Sequence, residues 1–399
     1  MNEIKIFKTN DYDKFKCIAD KCKFTCCAGW DISVDNDTYE KWRDINNSER
    51  NLLDTVKDGS LKGEYIINKD INSPCPHLDD KGLCSIVNYY GDDYLSLTCK
   101  KFPRIERDFE ELKVLSLSCS CSEVIEIIDS IDGKIYKTKY NVKEELNEKI
   151  LSDNNYKYLD DEEVSPLIEL KIREALINVI YTEGFCLEYK LFIAYEFLLD
   201  LLELKEYGLE KDSLEALIEK YEDVDYMKIL IATYNELELD MYESIEEINN
   251  LFLDIVENYK EVFGLGLLLK DIYNFSESIN IDIAIDEWLI FKASFKEYNK
   301  LMENCIVSNI LSISSNFDLK GFIINFQMII LEYLLVRYAV FLKKVMLEED
   351  VIYKEYVKDY IMAFSRIIGN NAEAVEEFIM DGFNEELLDL GYLCFIGLF

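Results

Sequence analysis

Cys17-Ile-Ala-Asp-Lys-Cys22-Lys-Phe-Thr-Cys26-Cys27 opens a run of thiols that continues through Cys75-Pro-His77, Cys84, Cys99-Lys-Lys-Phe-Pro-Arg104 and Cys119-Ser-Cys121. Nine of the twelve cysteines fall within this run; Cys186, Cys305 and Cys394 lie beyond it. Thiols kept for packing do not crowd in this way, and an adjacent pair such as Cys26-Cys27 makes little sense in a core. Thiolates are soft ligands for zinc and for iron–sulfur clusters. A cysteine-rich, mixed α/β metal-binding domain is therefore expected over residues 1–140.

From residue 141 the chain changes character. All four prolines (Pro74, Pro76, Pro103 and Pro166) lie at or before position 166, and the remainder of the chain carries helical periodicity. Ser165-Pro166 is a start signal, with a hydroxyl to cap and proline at the first helical position. Further helices are expected over 187–205, 213–222, 224–260, 265–278, 283–312, 318–347, 350–368 and 372–390. The fold class is thus mainly α, a small cysteine-rich domain followed by a large all-α domain over 141–399. Within the first part, strands are expected at Ile4–Phe7, Trp30–Val34, Glu64–Ile67 and Lys113–Leu117. A helix carrying Tyr39 and Trp42 should follow Asp35, helix should run over 50–60, and Ile131-Asp132-Gly133-Lys134 suggests a hairpin toward Tyr136.

Of 399 residues, 49% are hydrophobic and 13% aromatic, ample material for a core. The 79 acidic residues against 43 basic ones give a net charge of −36. That argues strongly against nucleic acid as a partner, because phosphates demand a basic footprint, and disfavours an anionic membrane. An acidic surface keeps a protein dissolved and also steers a lysine-bearing substrate toward it. The N-terminal MNEIKIFKTNDYDKF has no basic stretch followed by an apolar run, so no secretory leader is expected. Phe322–Leu347 is interrupted by Asn325, Gln327, Glu332, Arg337 and Lys343-Lys344, which fits a buried helix better than a membrane span. The expected compartment is the cytoplasm, where cysteines serve metals or redox chemistry rather than a disulfide framework.

With His77 as the sole histidine, any four-ligand site must be nearly all cysteine. His77 itself reads as a ligand, as a donor to one, or as a turn residue. Two four-cysteine zinc sites and a [4Fe–4S] cluster both remain open. The irregular spacing, without a CxxC pair, fits a cluster somewhat better than a zinc knuckle. Cys22 and Cys26 begin a C-x3-C-x2-C radical motif, but Gly29 stands at its third position. Gly264-Leu265-Gly266 lacks the strand and third glycine of a nucleotide loop and reads as a helix junction.

Several pieces together resemble the flagellin lysine-N-methylase family, within the wider group of cysteine-rich zinc- or iron-chelating domains. They are Phe15-Lys-Cys17; Cys22-x3-Cys26-Cys27-Ala-Gly-Trp30-Asp-Ile-Ser-Val-Asp35; Cys75-Pro-His-Leu; Gly82-Leu-Cys84-Ser-Ile; Leu97-Thr-Cys99-Lys-Lys-Phe-Pro-Arg104; and Ser118-Cys-Ser-Cys-Ser-Glu-Val124. The apolar segment Leu331–Val340 extends the resemblance more weakly. It implies an S-adenosylmethionine-dependent methyltransferase acting on flagellin lysines, with a cysteine-bound [4Fe–4S] cluster. Carried over position by position, the implied ligands come from Cys17, Cys22, Cys26, Cys27, Cys75, Cys84, Cys99 and Cys121. Two departures stand out. Phe102 replaces a tyrosine, and Cys119-Ser-Cys121-Ser-Glu123 replaces a single Cys-Pro-Glu, so Cys119 and Cys121 compete for the last place; Glu123 favours Cys121.

Such a reaction needs a neutral lysine amine, whose pKa of about 10.4 must be lowered or its proton removed by Asp, Glu, Tyr or water. Trp30 is a candidate for cation–π contact with an amine or sulfonium, or else a core anchor of its strand. Arg104 is a candidate for the carboxylate of S-adenosylmethionine, or else a structural ion-pair partner. Competing readings are a non-catalytic zinc- or cluster-stabilised interaction protein and a redox or metal-delivery module.

Overall fold

The computed structural model describes residues 5–45, 51–59, 63–70, 72–109, 112–137, 166–206, 211–314, 318–369 and 372–398. The soft boundary expected near residue 140 and the capping Ser165 lie outside the described residues.

The N-terminal part holds two three-stranded sheets. In the first, β1 (Lys5–Lys8) runs parallel to β6 (Leu112–Leu117), which pairs antiparallel with β5 (Arg104–Phe109). The central strand β6 is mostly buried, and the apolar core it enters is continuous with that of the helical part. The second sheet orders β2 (Ser33–Val34), β4 (Tyr65–Ile67) and β3 (Val56–Asp58), all antiparallel. It builds its own small core from Ile32, Val34, Trp42, Leu52, Ile67, Cys75 and Ile86. Helix α1 (Asn36–Arg43) begins where Asp35 accepts the Thr38 N–H at 3.0 Å, the expected cap. The helix expected over 50–60 is instead one 3₁₀ turn at Leu52–Thr55 followed by β3, whose pairing with β4 claims its backbone. No hairpin forms at 131–136; the Ile135 N–H is taken by the Tyr181 hydroxyl and the Asn304 side chain instead.

Three short helices follow, α2 (Ser85–Tyr90), α3 (Leu97–Lys101) and α4 (Ser122–Asp129). The helical part comprises α5 (Pro166–Ile180), α6 (Leu187–Glu206), α7 (Lys211–Glu222), α8 (Val224–Asn235), α9 (Met241–Glu257), α10 (Gly266–Ser276), α11 (Ile281–Phe295), α12 (Asn299–Ser312), α13 (Leu319–Met346), α14 (Lys354–Ile367), α15 (Ala372–Phe383) and α16 (Leu390–Gly397). The chain is mainly helical, as expected. Two expected helices are split, 224–260 at the Asp240 cap and 283–312 by a 3₁₀ turn at Lys296–Tyr298, and the one expected over 372–390 ends at Phe383, before α16 starts at the Asp389 cap. Gly264 and Gly266 form the α9–α10 junction. Gly264 takes φ +83°, and a Cβ on Gly266 would sit 2.7 Å from the Lys260 carbonyl oxygen.

Helix α13 explains the interruptions in the apolar run. Its most apolar window is 78% buried within the protein, so it is a core helix. Gln327 donates to the Glu386 carbonyl at 2.7 Å and accepts from the Leu388 N–H at 2.9 Å. Arg337 stacks on Trp288, donates to the Gly397 carbonyl at 3.0 Å and pairs with Glu188 at 3.1 Å. Lys344 pairs with Glu287 at 3.2 Å. These three polar breaks thus meet partners that a bilayer would not offer.

The sheet is locked to the helices by two arginines at the C-terminus of α12, whose last carbonyls are otherwise orphaned. Arg107 on β5 donates to the Ser312 and Ile313 carbonyls at 2.6 and 3.0 Å. Fully buried Arg173 on α5 donates to the Ile310 and Ile313 carbonyls, pairs with Glu169 and lies between the Phe109 and Phe322 rings.

Candidate functional site

Turns and helix starts, rather than strands, carry the thiols. Cys17 and Cys22 flank a 3₁₀ turn at Ala19–Lys21, and Cys26-Cys27 follow in the next turn. The Cys75 N–H donates to the Cys27 carbonyl at 2.6 Å, which docks the Pro74-Cys75-Pro76 segment on that turn. Asp79 then accepts from the N–H groups of Lys81 and Leu83, closing a tight turn that returns Cys84 beside Leu78. Cys84 stands at the N-cap position of α2 and Cys121 at that of α4, each at the positive end of a helix. Cys99 lies on α3, which Ser96 caps. Asp35 joins α1 to α3, since the carboxylate that caps α1 also accepts the Leu97 N–H at 2.7 Å.

These segments enclose a cavity of about 540 Å³, and all eight of Cys17, Cys22, Cys26, Cys27, Cys75, Cys84, Cys99 and Cys121 line it. Cys119 points elsewhere: fully buried, it meets Cys305 in the helical core. Cys186 and Cys394 are also outside the cavity wall. Much of the remaining wall is apolar, with Phe15, Phe24, Ile32, Trp42 and Phe102, and among the described residues its carboxylates are Asp92 and Glu123.

Burial dominates the electrostatics. It pushes the Cys75 thiol up to about 12 and that of Cys121 to about 11, and it raises Cys84 and Cys99. Cys26 and Cys27 share a hydrogen bond; it brings Cys27 down to about 6 and raises Cys26. A bound soft cation would supply the positive charge that these thiols need to ionise. Among the described residues, no three His, Cys, Asp or Glu side chains stand close enough together to form a ready metal site. The donor set nevertheless fits a thiophilic group in chemistry, number and common cavity.

His77 is buried, with Nε2 2.8 Å from the Thr55 hydroxyl and an edge contact to Trp42; burial lowers its pKa. It is no surface turn residue. Trp30 lies in the wall, its ring tilted against Phe102 at 5.3 Å and covered by the Arg366 guanidinium at 5.0 Å. Arg104 lies over Phe15 at 5.0 Å and donates to the Phe15 carbonyl at 3.4 Å.

Sequence reasoning misses Arg366. It enters the cavity wall from α14, 245 positions beyond Cys121. Its only linear signal is a lone arginine in the buried stretch Ile361-Met-Ala-Phe-Ser-Arg-Ile367, which demands a partner.

The family model of the FliB lysine N-methylase C-terminal domain matches residues 173–396, more than half of the chain. The chain belongs to the FliB lysine N-methylase family. The match falls on the helical part, where the sequence resemblance is weaker, and it includes Arg366. A lysine-N-methylase of Salmonella typhimurium is 27% identical over 154 residues, covering 37% of this chain and 38% of that protein. The flagellar biosynthetic protein FliU of Salmonella muenchen is 30% identical over 130 residues, covering 31% of this chain and 76% of that protein. A second lysine-N-methylase, from Salmonella choleraesuis, matches to the same extent as the first. The alignments thus span well under half of these two FliB-family methylases. No solved structure matches the chain.

Proposed function

We propose that this protein is an S-adenosylmethionine-dependent protein-lysine N-methyltransferase acting on flagellin, with a [4Fe–4S] cluster held by cysteines of the cavity. The observation that carries this reading is the convergence of eight thiols on one apolar cavity in a chain of the FliB family. The flagellar name of one relative and the lysine-N-methylase names of two others support the substrate class.

S-adenosylmethionine supplies a methyl group on a positively charged sulfur. Four thiolates drawn from the cavity set would hold the cluster, which provides a redox-active iron centre there. The apolar wall disfavours an ammonium ion, which brings an incoming lysine closer to its neutral, nucleophilic form. Glu123 is the candidate base. It stands two residues after Cys121 in the cavity wall, and burial raises its pKa. Glu123 would take the proton of the incoming lysine, leaving its nitrogen free to accept the methyl group that the donor would supply. Arg104, at the same wall, would take the amino-acid carboxylate of the donor.

The test incubates cluster-loaded protein with the cognate flagellin and methyl-labelled S-adenosylmethionine, and maps modified lysines by mass spectrometry. Label on flagellin lysines is expected, and Glu123→Gln should lower the single-turnover rate by about 100-fold. A loaded protein that transfers no methyl would refute the enzymatic reading in favour of a metal-stabilised interaction protein. Full activity of E123Q would remove Glu123 as base.

A further inference from the structure

The two loops that present the cysteine pair and the last cavity cysteine are far apart in sequence, yet one buried side chain from the helical part holds both. Arg366 is 2% exposed. Its Nη2 donates to the Phe24 carbonyl at 2.8 Å and its Nη1 to the Thr25 carbonyl at 3.0 Å, directly before Cys26-Cys27. Its Nε donates to the Ser120 carbonyl at 2.9 Å, directly before Cys121. The guanidinium face covers Trp30. Neighbouring residues of α14 repeat the pattern: the Ser365 carbonyl accepts from the Ser120 hydroxyl at 3.0 Å, and Asp359 pairs with Lys23. The positive charge stands within electrostatic reach of Cys22, Cys26, Cys27 and Cys121.

From this geometry we infer that Arg366 is the positioning residue of the thiol cavity. It fixes the 24–27 and 120–121 segments against each other and sets a fixed positive charge beside the sulfurs of Cys22, Cys26, Cys27 and Cys121. Only a planar fork can satisfy three carbonyls on two segments at once; an ammonium keeps the charge but reaches fewer of them. The charge also opposes the electrostatic cost of gathering several thiolates, and it favours the more negative, reduced state of any cluster they hold. The cluster half of this inference rests on the proposed function; the positioning half does not.

Two measurements on the full chain separate them. In metal-free protein, alkylation of each cysteine by iodoacetamide is followed by peptide mass spectrometry for wild type and Arg366→Lys, with helical circular dichroism recorded alongside. R366K should speed labelling of Cys26, Cys27 and Cys121 at least several-fold, while Cys84 and Cys99 keep wild-type rates and the helical signal is unchanged. Unchanged labelling, or a uniform rise at all cysteines, overturns the positioning role. In protein reconstituted anaerobically with iron and sulfide, R366K should lose iron to a chelator faster than wild type while keeping its midpoint potential. Arg366→Gln should lose iron faster and shift the potential of the remaining cluster to more negative values. Wild type that takes up iron and sulfide, with R366Q matching it in both retention and potential, overturns the charge role. Wild type that takes up neither refutes the cluster reading, and with it the charge role toward a cluster, while the labelling result on Arg366 stands.

Discussion

Replacing Glu332 by glutamine should remove a pH-dependent cost that the wild-type fold carries. Glu332 sits on α13 in the middle of the protein and is buried. Asn309 donates to both of its oxygens at 3.1 Å, and the Ser365 hydroxyl donates to one. These bonds do not offset the burial, which pushes the carboxyl up from 4.5 to about 7. Cys119, which feels the Glu332 charge, is itself pushed up by its Cys305 hydrogen bond and by burial and stays neutral across this range. The native state therefore keeps its proton while the unfolded chain loses one, so stability falls as pH rises from about 4.5 to about 7. Below the unfolded value both states are protonated and there is no cost; above 7 the full cost, about 3 kcal/mol, is present. E332Q imitates the protonated form. Urea denaturation of both proteins at pH 5 and pH 8 isolates the effect, because other groups titrate alike in the two. Wild type should lose about 2 to 3 kcal/mol more than E332Q between those pH values. Equal losses would show that Glu332 is ionised in the native state at little cost, and the account of its burial would fail.

Other outcomes follow from the packing and the cavity. Arg173→Ala removes one of the two arginines that cap α12 and leaves Glu169 without its arginine, at a cost of about 3–5 kcal/mol in urea denaturation; the double replacement R173M/E169Q should recover much of it. Cys121→Ala should lower iron bound after anaerobic reconstitution, whereas Cys119→Ala should leave iron unchanged and cost about 1 kcal/mol of stability, since Cys119 lies in the core with Cys305. Equal iron loss in the two variants would contradict the assignment of Cys121 to the cavity set.

Much of the fold is legible where a pattern is local. Asp35 as a cap, β6 as an apolar strand and α13 as a buried helix each follow from neighbours in sequence. The split within 224–260 escapes a sequence reading because Asp240 starts a new helix without a proline or glycine to announce it, and the expected 372–390 helix stops early at Phe383, where Asn384 takes φ +55°. Strand β5 escapes it because Arg-Ile-Glu-Arg-Asp-Phe is largely charged; as an edge strand it buries Phe109, while Arg107 reaches the end of α12. The thiols of the candidate site are legible from composition and spacing. Their convergence on one cavity is not, because it depends on backbone bonds such as Cys75 to Cys27 and on Arg366, which closes the wall from a distant helix. Glu123 already favours Cys121 over Cys119 in the sequence, and in space one side chain joins the core and the other the cavity.

Metal and sulfide analysis of anaerobically purified protein, with its visible absorption spectrum, tests the central claim most directly. About four irons and four sulfides per chain, with the broad visible absorption of a cubane, are predicted. Zinc alone, with no iron–sulfur chromophore even after anaerobic reconstitution, would contradict the account and make the thiol cavity a structural zinc site.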